Sequence, residues 1–100
     1  MAVNTGTAVG YSFLNITLAA PTTTVVKTGA GILHTVTFNK PVATAVVTIY
    51  DNTAASGTVI GTITVPASPI PVTLTYNAAF GTGLTITTAT AAQDITVTYI

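Results

Sequence analysis

Apolar residues in this chain recur at every second position in short runs, with threonine at many of the positions between them. Val72, Leu74 and Tyr76 bracket Thr73 and Thr75, Leu84 and Ile86 bracket Thr85, and Ile95, Val97 and Tyr99 bracket Thr96 and Thr98. A period of two is that of a strand with one buried face. No segment carries a 3.6-residue apolar stripe, and the abundant β-branched side chains are stiff at χ1 and favour strands. Gly, Pro, Asn and Asp punctuate the runs around 28–31, 39–41, 51–57, 66–71 and 77–83, where they supply turns. About eight short strands at such spacing predict an all-β domain, an antiparallel β-sandwich of jelly-roll or immunoglobulin-like type.

Alternation assigns faces. Ile32, Val36 and Phe38 are expected on one face with His34, and Leu33 on the other with Thr35 and Thr37. Residues 42–50 read as a single strand with Val47 and Ile49 opposite Val46, Thr48 and Tyr50. In 58–65, Val59, Ile63 and Val65 share a face, while Leu14, Ile16 and Leu18 alternate with Asn15 and Thr17. Leu74, Leu84, Ile86, Ile95 and Val97 are expected in one core. Residues 1–10 are small and polar, with Gly6 and Gly10, and read as a flexible N-terminal arm ahead of a sandwich domain at 11–100. A single domain of this length buries enough surface to need no staple.

Only Lys27, Lys40, Asp51 and Asp94 carry a formal charge, 4% of 100 residues, and they sum to zero. A typical domain holds about 25% charged residues, and net charge helps keep a small free protein soluble. A surface this poor in charge suits a chain packed among its own copies or onto a partner. Two lysines and no arginine cannot neutralise several phosphates, which argues against nucleic acid. The apolar runs are shorter than a spanning helix or the ~9–11 residues of a membrane-barrel strand, which argues against a membrane. No basic residue precedes Lys27, so the start lacks the charged region of a secretory signal. Absence of cysteine excludes disulfides and thiolate metal sites.

The residues that could carry chemistry are few. His34 is the single histidine and a candidate base or ligand, but catalysis also needs a nucleophile and an orienting group. Neither carboxylate lies near it in sequence, so packing or an interface is the better reading. Asp51-Asn52-Thr53 offers oxygens, yet a calcium site gathers about 6–8 of them, and Asp-Asn is a turn former. Asp94 reads as a turn or edge charge, and the sequon Asn15-Ile16-Thr17 as chance within a strand. The pairs Thr35/Thr37, Thr62/Thr64, Thr73/Thr75, Thr85/Thr87 and Thr96/Thr98 would suit an ice-binding array, but stacked identical repeats are missing. We therefore expect no enzyme, no catalytic residues, no cofactor and no metal.

Three stretches carry a resemblance. They are Gly29-Ala30-Gly31-Ile32-Leu33, residues 44–63 centred on the run from Val47 to Ile60, and Phe80-Gly81-Thr82-Gly83-Leu84-Thr85-Ile86-Thr87 followed by Asp94-Ile95-Thr96-Val97-Thr98-Tyr99. Together, over roughly 25–100, they resemble small β-sandwich virion proteins of tailed bacteriophages, including head decoration (cement) proteins. The resemblance implies a structural protein located in the virion. It would stabilise a phage head by non-covalent packing on the major capsid protein or another virion protein, and associate with its own copies. The alternatives are a tail or head-fibre module contacting a host surface, and a free carbohydrate- or ice-binding module. Tyrosines lining one sheet would favour sugar binding, and tyrosines scattered between core and rim the structural role.

Overall fold

The computed structural model describes residues 10–17 and 19–100, so the expected arm, apart from Gly10, and Leu18 lie outside the described residues. Eight strands follow in chain order: β1 (Ser12–Ile16), β2 (Thr22–Thr28), β3 (Gly31–Lys40), β4 (Val46–Asp51), β5 (Thr58–Thr64), β6 (Val72–Phe80), β7 (Gly83–Ala89) and β8 (Asp94–Tyr99). They form two four-stranded antiparallel sheets, ordered β1-β8-β3-β6 and β2-β7-β4-β5. The pairs β1/β8, β2/β7, β3/β6 and β4/β5 are those of one long hairpin rolled up on itself. The additional β3/β8 and β4/β7 ladders complete the two sheets. This is the jelly-roll order, and it decides between the two sandwich types the sequence left open.

The inner faces of both sheets meet in one core. Leu33, Val36, Val47, Ile49, Leu84, Ile95 and Val97 are fully buried there, and Ile86 and Phe38 nearly so. Leu74 packs at the margin of the same cluster, so the expected set of Leu74, Leu84, Ile86, Ile95 and Val97 is found together. Each aliphatic or aromatic side chain so buried stabilises the fold by roughly 1.5–3 kcal/mol.

Irregularities in the ladders overturn several face and boundary expectations. Leu33 pairs with Tyr99 while Thr35 pairs with Thr98, so His34 is an extra residue in β3 relative to β8. The bulge reverses the side-chain phase. Leu33 goes into the core at 0% exposure and Ile32 faces out at 40%, the opposite of strict alternation. His34 therefore does not sit on an apolar face with Ile32, Val36 and Phe38. In β5, Gly61 pairs with Ile49 and Val59 with Tyr50, which makes Ile60 the extra residue. Ile60, rather than Val59, joins Ile63 and Val65 at the core, and Val59 is exposed.

Residues 42–45 are not strand. Thr44 has φ 64°, and Ala45 N–H donates to the Val42 carbonyl at 3.2 Å. β3 runs on through Asn39 and Lys40, and β6 runs on to Phe80 through Asn77, which adopts φ 49°. Asparagine tolerates that left-handed conformation. Pairing of residues 78–80 with 31–33 overrides the weak strand propensity of the Asn-Ala-Ala stretch.

Candidate functional site

The four charged residues occupy the two ends of the sandwich. At one end the β4 terminus brings Asp51 under the β6–β7 turn. Its Oδ1 accepts N–H bonds from Thr82 at 2.9 Å, Gly81 at 3.1 Å and Gly83 at 3.4 Å, and Oδ2 a second approach from Gly81 at 3.0 Å. These donors, Gly81 first and then Thr82, hold the carboxyl below its ordinary range. Asn52 is used in the same way. Its Oδ1 accepts from Thr53 N–H at 2.8 Å, its Nδ2 donates to the Ser56 carbonyl at 2.8 Å, and its own carbonyl accepts from Thr85 Oγ1 at 2.7 Å. The Asp51-Asn52-Thr53 oxygens thus build turns and join the two end loops. Lys27, beside the β7 start, lies at this end too.

At the opposite end Lys40 is in register with Asp94. Asn15 Nδ2 from β1 and Asn39 Nδ2 from β3 both donate to Asp94 Oδ1, at 2.7 and 3.0 Å, and both reach Thr96 Oγ1. Asn15, then Asn39, with Lys40 behind them, lower the Asp94 carboxyl below its ordinary range. The Asn15 of the sequon is therefore a cross-strand tie between residues 79 positions apart. Nothing in local spacing announces this cluster. Among the described residues, no group of three His, Cys, Asp or Glu comes together.

His34 lies on the outer side of its sheet, half-buried. Its ring stacks on Tyr11 with centroids 3.9 Å apart and planes 8° apart, and Nδ1 meets Asn77 Oδ1 at 2.6 Å. The histidine thus ties the start of β1 to the bulges of β3 and β6. Neither Asp51 nor Asp94 is among its hydrogen-bond partners.

Between the charged ends both outer sheet faces are free of charge. On the β1-β8-β3-β6 sheet, register lines up Asn15, Thr96, Thr37 and Thr73 in one row and Phe13, Thr98, Thr35 and Thr75 in the next. Three of the Thr-x-Thr pairs noticed in the sequence therefore stand side by side. Thr37 and Thr73 share a hydroxyl hydrogen bond at 2.9 Å, and Thr35 is similarly bonded to Thr98. Such cross-strand pairs stabilise a sheet by roughly 0.2–1 kcal/mol each. On the other sheet the rows are Thr23, Thr87, Thr48 and Thr62, then Val25, Thr85, Tyr50 and Val59.

The tyrosines are dispersed. Tyr11 is exposed beside His34, Tyr50 is half-buried on the other outer face, and Tyr76 and Tyr99 pack against the core. Burial raises the Tyr76 phenol above its ordinary value. Comparison with protein-family models, with curated proteins and with solved structures gave no match to this chain.

Proposed function

We propose that this protein is a non-enzymatic structural component of a bacteriophage particle, a decoration protein that lies on the capsid shell and stiffens it. The observation that carries the reading is the confinement of all four charged side chains to the sandwich ends, which leaves two broad faces of threonine and apolar residues. Interface cores are depleted of charge, and a charge-free face docks without the penalty of stripping water from ions. Viral shell proteins and lectins both use the jelly roll, so the fold by itself favours neither. The dispersed tyrosines favour the structural role over a sugar platform. Its partners would be the major capsid protein or another virion protein, together with its own copies.

The test compares shells with and without the protein for survival of heat or osmotic shock. Shells carrying the protein should survive better, and His34→Gln should attach as the parent does. A charge planted in the middle of the docking face, Thr37→Lys on one sheet or Thr48→Lys on the other, should abolish attachment while leaving the fold intact. Shells equally robust without the protein would overturn the decoration reading and leave a fibre module that touches the host surface.

A further inference from the structure

On the side of the sandwich where β5 and β6 are the edge strands, the two sheets part and leave a groove of about 290 Å³. Phe38 and Val65, 1% and 4% exposed, form its floor, and Ile63 and Leu74 its walls. Ile70 and Val72, 70% and 43% exposed, stand at its mouth. Among the described residues that line it there is no charged side chain, and Thr64 brings the one hydroxyl. The link from β5 to β6 borders the groove, and Pro66, Pro69 and Pro71 fix three of its φ angles. A stiff border keeps the slot preformed, so filling it costs little ordering of the protein.

We propose that this groove is a binding site for the alkyl chain of a small, uncharged amphiphile. The lining selects the charge. A charged group placed there would lose water and find no partner, whereas a hydrocarbon leaves water at a gain. The volume sets the length. An apolar cavity of about 150 Å³ takes up benzene, and at the same ~25 Å³ per carbon the groove holds about ten to twelve carbons. The walls select the shape. They are aliphatic apart from Phe38, so a ring would find one aromatic face to stack on, while a chain can follow the side chains of Ile63, Val65 and Leu74. The open mouth leaves the polar head in water, where Thr64 is exposed at the rim.

The experiment uses the full chain with labelled methyl groups, and 1-hexanol, 1-octanol and 1-decanol as probes. NMR shifts should move at Ile63, Val65 and Leu74 and stay still at Val25 and Ile32, which are exposed apolar residues away from the groove. Each added methylene should tighten binding about two- to fourfold, the gain of taking it out of water. Val72→Trp, which enlarges a side chain at the mouth, should weaken 1-decanol binding at least about tenfold while thermal unfolding shows the fold retained. Thr64→Trp, on the same rim, replaces it if that variant does not fold.

No shift at the groove methyls, equal shifts at Val25 and Ile32, affinity independent of chain length, or undiminished binding in a folded tryptophan variant would each overturn the proposal. So would 1-naphthol binding more tightly than 1-octanol, which would make the site one for rings. A parent that sediments as an oligomer and excludes the alkanols would overturn it as well, since a second copy would then fill the groove. All these measurements are made in solution without shells, so failure of the decoration reading would leave this result standing.

Discussion

Adjacent Ile32 and Leu33 give the sharpest test of the architecture, because the bulge at His34 exchanges their roles. Leu33→Ala removes a side chain that is fully buried between the sheets. The transfer term is about 2.4 kcal/mol at ~0.8 kcal/mol per carbon removed. The unfilled cavity raises the loss to about 3–4 kcal/mol, inside the 2–5 kcal/mol range of such substitutions. Ile32 is 40% exposed on the outer face, so Ile32→Ala leaves no closed cavity and should cost about 1 kcal/mol or less. For a 100-residue chain each kcal/mol moves the midpoint by roughly 4–8 °C. The expected falls are therefore about 15–25 °C for Leu33→Ala and a few degrees for Ile32→Ala. Urea and thermal unfolding followed by circular dichroism and tyrosine fluorescence measure both, since the chain has no tryptophan. If Ile32→Ala lost the larger amount and Leu33→Ala only a few degrees, the strand would be continuing in simple alternation and the bulge would not exist.

Two further outcomes follow from the end loops. Asp51 ionises in the unfolded chain near 3.8 and lower in the folded one, so its contribution is present above that value and is lost as pH falls below it. Asp94 behaves alike, so stability should drop on the acid side of about pH 3.8, and Asp51→Asn should make that drop shallower in denaturant titrations at stepped pH. Gly83→Ala should destabilise by about 1–3 kcal/mol in the same unfolding assay, whereas Gly81→Ala should be neutral within about 1 kcal/mol. A Cβ at Gly83 would meet Thr53 Cγ2 at 2.8 Å and the Lys27 carbonyl at 2.9 Å, while one at Gly81 meets nothing within 4 Å.

Much of the molecule follows from local pattern alone. The all-β class, eight strands and the core membership of Leu84, Ile86, Ile95 and Val97 were legible because a strand must alternate to bury one face. The scarcity of charge was visible in composition. Tertiary structure decided the rest. Strand order depends on pairings between residues as far apart in sequence as Ser12 and Tyr99, which no local window contains. The bulges at His34 and Ile60 depend on how twisted neighbours keep register, so they reversed faces that alternation had assigned to Ile32, Leu33 and Val59. Strand pairing likewise set three Thr-x-Thr pairs in register on one face and drew Asn15, Asn39 and Asp94 to one end. Alternation tells a residue which way to point, but only the rolled-up hairpin determines what it points at.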